Sequence, residues 1–264
     1  MMHTLRHLRL KRPASVAVVL LMILPLVTLT SCAPAEENSA PEVAAEPQPA
    51  ALDPSVLQDP SRPEADHEQD AGRKPIGVYN FLSIQPGMAV ADLWAGGGYN
   101  THLLSLLLGD EGKVYAVMGF YGAGRKYDAS AQVQERIQSG LTNVTVVGDP
   151  VDLSPDSLDA MVAIRNYHDQ PTPRDELVRQ LYAALKPGGI LGIVDVATDR
   201  PGWDEETHRL NEKVVIEELT AGGFELVDSS DILSNPEDDH STTGFETGRH
   251  LTDRYLLKFR KPQS

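Results

Sequence analysis

The chain has 264 residues, 41% of them apolar and 6% aromatic, enough for one enzyme-sized core and too apolar for global disorder. Its formal charge is −15, and the first 31 residues hold four cations (Arg6, Arg9, Lys11, Arg12) and no acid, so the remainder is more acidic still and repels nucleic acid phosphates. A single cysteine excludes an intramolecular disulfide, and the lack of C-x-x-C and G-x-S-x-G excludes thiol redox chemistry and α/β-hydrolase catalysis.

Residues 1–12 are short and basic, and 14–30 are almost wholly apolar, broken at Pro25 and ending in Leu29-Thr30-Ser31-Cys32. That order is signal-peptide architecture, and the apolar run falls short of the roughly twenty residues a spanning helix needs. Leu29-Thr30-Ser31-Cys32 resembles the bacterial lipobox, which implies cleavage before Cys32 and lipidation of its thiol. The sole cysteine stands where that motif requires one. Each buried acyl CH₂ contributes about 0.8 kcal/mol, so two or three chains make attachment effectively permanent. Ala33 stands where an aspartate would signal inner-membrane retention in many Gram-negative bacteria, which directs the expectation to the periplasmic face of the outer membrane. Residues 33 to about 60 are rich in Ala, Pro and Glu without apolar periodicity, and read as a semi-extended, disordered linker. The expected organisation is therefore signal peptide 1–31, lipidated Cys32 and linker to 60, and a folded domain over 61–264.

Within that domain, apolar runs of strand length alternate with helical patterns, which predicts βαβ units and a parallel sheet. Seven strands are expected, at 88–94, 113–118, 144–147, 158–164, 190–196, 224–230 and 252–260. Helices are expected at 99–108, 129–139, 174–185 and 205–221. Only a polar loop joins the last two strands, so the seventh is expected to return antiparallel.

Six parallel strands and an antiparallel seventh, with helices on both faces, resemble the Rossmann-like α/β fold of class I S-adenosylmethionine (SAM) dependent methyltransferases. Three motifs carry the resemblance in order. Val90-Ala91-Asp92-Leu93-Trp94-Ala95-Gly96-Gly97-Gly98-Tyr99 matches the family's strand, acid and glycine loop opening a helix. Gly148-Asp149-Pro150 matches the segment whose acid accepts from the adenine amino group, and Leu185-Lys186-Pro187-Gly188-Gly189-Ile190-Leu191 matches the turn before strand five. Asp59-Pro60-Ser61-Arg62-Pro63, Arg73-Lys74-Pro75, Arg165-Asn166-Tyr167-His168 and 252–259 narrow the resemblance to a group of predicted exported methyltransferases. It implies SAM as cofactor, held by Asp92, Ala95, Gly96, Gly97, Gly98, Asp149 and Arg165.

Ligands of an open parallel sheet bind beyond the carboxyl ends of its strands. In the family the end of strand four lies beside the transferable methyl, so His168 is the candidate base, with Asn166 and Tyr167 positioning the acceptor; bracing of the loop by Asn166 and His168 is the alternative. Asp195, ending strand five, is a second candidate on the acceptor side. Two departures stand out: Trp94 replaces the pattern's leading glycine, and Met118 stands where the family has its ribose-binding acid. Losing that charge-assisted hydrogen bond, about 1.5–3 kcal/mol, lowers affinity roughly ten- to a hundredfold unless another group compensates. Glu237-Asp238-Asp239-His240 has cation-gripping residue types but reads as a solvated loop, and His208-Arg209 falls on the expected last helix, placed either to reach the acceptor pocket or to form an exposed helix face. The reading is thus a lipid-tethered methyltransferase for a small-molecule or envelope acceptor. Its rivals are a non-catalytic ligand-binding or interaction lipoprotein keeping the fold, and a nicotinamide oxidoreductase using Arg125-Lys126, whose G-x-G-x-x-G pattern fails at Thr101.

Overall fold

A computed structural model of the chain describes residues 50–122, 125–127, 130–248 and 251–263. The signal segment, Cys32 and the linker as far as residue 49 lie outside the described residues.

The main sheet has seven strands: β1 Ala89–Leu93, β2 Lys113–Val117, β3 Val144–Val147, β4 Leu158–Ile164, β5 Leu185–Val196, β6 Glu225–Ser230 and β7 Arg254–Arg260. Their spatial order is β3-β2-β1-β4-β5-β7-β6. β7 runs antiparallel to both β5 and β6, and the other neighbours pair in parallel, as the polar loop before it foretold. Side chains alternate across the sheet, so one short strand feeds two cores. Ala91 and Leu93 join Met161, Ile193, Val178 and Leu219 on one face. Val90 joins Val114, Val162, Tyr79, Leu103 and Leu104 on the other. Strands buried on both faces read as unbroken apolar runs, which is why the sequence disclosed them.

Among the described residues, six α-helices accompany the sheet: α1 Glu64–Arg73, α2 Pro75–Phe81, α3 Tyr99–Leu108, α4 Ser130–Gln138, α5 Asp175–Ala184 and α6 Glu212–Ala221. The lysine-proline-glycine turn belongs to β5. Pairing with β4 jumps from Leu158↔Leu185 to Ala160↔Ile190, and Gly188 at φ +82° turns the bulge between them.

Three expectations need correction. The domain begins before residue 61: Leu52 is buried, its N–H donates to Asn80 Oδ1 at 2.9 Å, and Pro54–Gln58 forms a 3₁₀ turn. Apolar Leu52, Val56 and Leu57 account for this, because they find partners in the core beside α3. The helix expected over 205–221 starts only at Glu212, where the Asn211 side chain accepts from Lys213 N–H. Residues before it form a ribbon in which Trp203–Asp204 pairs with Arg209–Leu210. Asp204 bends this ribbon by accepting from the Thr207 hydroxyl at 2.7 Å and from Glu206 N–H at 3.2 Å. His208 therefore lies in the ribbon's turn and Arg209 on its return strand, not on a helix. Arg125 and Lys126 fall in a second short ribbon, Phe120–Gly122 with Arg125–Tyr127.

Candidate active site

The loop after β1 is built by three left-handed residues, Trp94 (φ +56°), Gly96 (φ +54°) and Gly98 (φ +82°). Glycine takes this conformation freely, whereas Trp94 takes it at a steric cost, so the tryptophan copies the leading glycine's backbone and adds a side chain buried in the core. Ala95 N–H donates to Val117 O at 2.9 Å, tying the loop to β2. Behind it, Arg136 Nε donates to Gly97 O at 2.6 Å, and the same guanidinium grips Asp66 of α1 at 2.6 and 3.0 Å. A Cβ on Gly98 would fall 2.9 Å from Arg136 Cδ, so this glycine admits no side chain without rearrangement.

Asp92, the penultimate residue of β1, is only 1% exposed and accepts from the Thr101 hydroxyl at 2.6 Å. Burial lifts its carboxyl to about 6, while hydrogen bonds from Thr101 and the charge of Arg73 work the other way. A carboxylate kept at that cost beside a glycine loop suits a cationic ligand group. Asn166 holds the same loop from β4, its Nδ2 donating to Leu93 O and Trp94 O at 3.1 Å each. Its Oδ1 is buried without a hydrogen-bond partner among the described residues. Arg165 (φ +61°) donates its N–H to Val194 O at 2.7 Å and lines a cavity of about 20 Å³ with Arg73, Arg254, Tyr79 and Asn100. Burial and the neighbouring Arg73 push the Arg254 guanidinium down.

Met118 is buried with Ala95, Ala116 and Val133, so the side chain in the ribose acid's place is part of the core. The acid next to it is Asp149: a Cβ on Gly119 would fall 1.9 Å from Asp149 Oδ1 and 2.6 Å from Gly148 O. The carboxylate from the end of β3 thus rests against the end of β2.

At the ends of β4 and β5, His168 is clamped between two carboxylates. Its Nδ1 lies 2.5 Å from Asp195 Oδ1 and its Nε2 lies 3.2 Å from Asp169 Oδ2. Burial lowers its proton affinity, but the Asp195 charge and the bonds to Asp169 and Asp195 outweigh this and raise the imidazole to about 10. Asp169 also meets His208 Nε2 at 3.1 Å. Trp203 stacks on His168, with ring centres 5.7 Å apart and planes 13° apart.

The structure therefore gathers Asp92, the Ala95–Gly98 loop and Asn166 at one place, brings Asp149 against the end of β2, and sets His168 and Asp195 together at the ends of β4 and β5. Tyr167 does not join them. It is fully buried toward α6, donates its hydroxyl to Glu218 at 2.7 Å and lies under the Arg174 guanidinium, because the side chain after Asn166 faces the opposite side of the sheet. Glu237–His240 does not gather around a cation either: Asp238 is taken by Arg209 at 2.9 and 3.0 Å, and Asp239 accepts from Ser241. Sequence reading missed Asp169 and Trp203, and it aimed His208 at the acceptor side from a helix where the structure brings it in by the ribbon's turn. Asp169 was visible as the neighbour of His168, but Trp203 depends on the ribbon.

No protein-family model and no curated protein matches the sequence. Solved structures do match the fold. A SAM dependent methyltransferase from Aquifex aeolicus aligns with a TM-score of 0.58 at 19% identity, over 80% of this chain and 99% of its own. The [4+2]-cyclase SpnF aligns at 0.57 and 20% identity, over 76% and 85%. The 1,6-didemethyltoxoflavin-N1-methyltransferase of Burkholderia thailandensis, solved with S-adenosylhomocysteine, aligns at 0.52 and 19%, over 75% and 81%. The likeness establishes that the chain has the Rossmann-like fold of class I SAM-dependent methyltransferases.

Proposed function

We propose that the protein is a SAM-dependent methyltransferase, held by lipid on Cys32 to the periplasmic face of the outer membrane and acting on a small-molecule or envelope acceptor. The observation that carries this reading is Asp92, a carboxylate held almost fully buried at the head of a glycine loop, with the unpartnered Asn166 Oδ1 close behind the same loop. Together they offer two acceptors to an ammonium group. Arg73, Arg165 and Arg254 gather the positive charge that a carboxylate on the same ligand needs. Asp149 stands in for the missing ribose acid, reaching the end of β2 from β3. When bound, SAM supplies an electrophilic methyl group on its sulfonium. The chain's own part is to orient the acceptor beside His168, Trp203 and His208, where ring stacking meets ionic pairing.

Calorimetry of the full chain against SAM and its demethylated product is the test. Binding of either, weakened at least tenfold by Asp92→Asn, is expected; no heat with both ligands at millimolar concentration would refute the reading. The tether is checked separately by metabolic labelling with palmitate. Cys32→Ala is expected to abolish the label, and equal labelling of both chains rejects the anchor. A second reading is favoured by two findings: both ring nitrogens of His168 are engaged by carboxylates, and a cyclase shares the fold. A ligand-binding lipoprotein, or a catalyst of another reaction, would bind the same nucleoside yet transfer no methyl group to any envelope extract.

A further inference from the structure

Between the ends of β4 and β5 and the 203–210 ribbon, two imidazoles converge on one carboxylate. His168 Nε2 lies 3.2 Å from Asp169 Oδ2, and His208 Nε2 lies 3.1 Å from Asp169 Oδ1. One ligand atom from each of the three residues lies within 4.8 Å of the other two. Around an ion with bonds of about 2.0–2.2 Å, adjacent ligand atoms stand about 3.0–3.5 Å apart. Both carboxylate–imidazole distances fall in that range, one on each oxygen of Asp169, and seating an ion requires the three ligand atoms to close from within 4.8 Å of one another to that spacing.

The outer surroundings fit as well. Asp195 is fully buried and binds His168 Nδ1 at 2.5 Å, while accepting from the N–H groups of His168 and Val196. A carboxylate on the far nitrogen is the usual means of fixing the tautomer and direction of a metal-ligating histidine. It turns Nε2 toward Asp169 and His208. His208 reaches the cluster because the ribbon turns through it at φ +56°, and Trp203 packs on both imidazoles, 5.7 and 4.9 Å between ring centres. Among the described residues, Asp169 and Asp195 form ion pairs only with these two histidines.

We propose that His168 Nε2, Asp169 and His208 Nε2 form a binding site for a divalent transition-metal ion, with Asp195 as the outer partner of His168. Two imidazoles and one carboxylate favour zinc or iron(II) over magnesium or calcium, which take oxygen ligands. Three protein ligands leave a position open for an acceptor's oxygen or nitrogen. That use of the ion rests on the methyltransferase reading; the ion site itself does not.

The test is titration of the chelator-stripped full chain with zinc by calorimetry and with cobalt(II) by visible absorbance. One ion per chain is expected, with affinity lowered about a hundredfold or more in His208→Ala and Asp169→Asn and about ten- to a hundredfold in Asp195→Asn. His208 is one-third exposed in a ribbon turn, so His208→Ala is expected to keep its far-ultraviolet dichroism even if His168 variants do not fold. His240→Ala, in the loop beside Asp253, is expected to bind the ion unchanged. Absence of binding, or binding that survives both His208→Ala and Asp169→Asn, overturns the site. Zinc binding without SAM binding supports the site and defeats the methyltransferase reading, and the converse defeats the site alone.

Discussion

Asp92 concentrates the conflict between stability and binding in one side chain. Its folded carboxyl titrates near 6 and its unfolded one near 3.8, so between those values the folded chain holds more protons and stability falls as pH rises. Above pH 6 the penalty is complete, about 2–3 kcal/mol for a shift of this size in a fully buried group. Asp92→Asn keeps an oxygen for the Thr101 hydroxyl and removes the penalty. Urea unfolding is therefore expected to show the variant more stable than the parent by about 2–3 kcal/mol at pH 7, with a smaller gain at pH 5. An advantage that does not grow with pH contradicts the assignment. Trp94 sets two effects of opposite sign against each other. Trp94→Gly relieves a left-handed backbone costing about 1–2 kcal/mol but empties a core position whose truncation costs about 3–5 kcal/mol. The cavity wins, and a net loss of about 2 kcal/mol is expected in the same assay.

At the scale of elements, the 203–210 ribbon brings the ionic cluster together and is itself held by a buried ion pair. The Arg209 side chain is fully buried, pairs with Asp238 at 2.9 and 3.0 Å, and donates to Ala197 O and Thr242 O. Removing one partner of such a pair leaves a buried charge and costs about 3–5 kcal/mol. Arg209→Ala is expected to lose that much on denaturation and, by loosening the turn, to free His208, seen as a changed Trp203 fluorescence. This ribbon also shows where the sequence stopped being readable. The main strands were legible because their apolar runs are continuous, and the antiparallel return because, among the described residues, no α-helix separates the last two strands. Glu205, Glu206 and His208 suit a helix surface equally well; what decides for the ribbon is Asp204 capping the turn and an aspartate 29 residues beyond Arg209. Helix α1 was hidden for a related reason. Its residues are polar, and it docks through Asp66 to Arg136 and Asp70 to Arg62 with little apolar periodicity to betray it.

For the whole molecule, the early start of the domain changes the proposed tether. If Cys32 carries lipid and packing begins by Leu52, the connecting chain is residues 33–49, not 33–60. On that proposal the tether is about eleven residues shorter than its composition suggested, because the chain from residue 50 onward already belongs to the domain. The boundary is open to a direct check with two full-chain variants. Leu52 is 6% exposed within the core that holds α2 and α3. Leu52→Ala is expected to cost about 2–3 kcal/mol, a midpoint lowered by roughly 5–10 °C for a domain of this size. Deletion of residues 36–45, rich in Ala, Pro and Glu, is expected to leave the midpoint where it was. If instead the deletion destabilises the protein and Leu52→Ala does not, the domain boundary drawn at Leu52 is wrong and the tether must be measured from elsewhere.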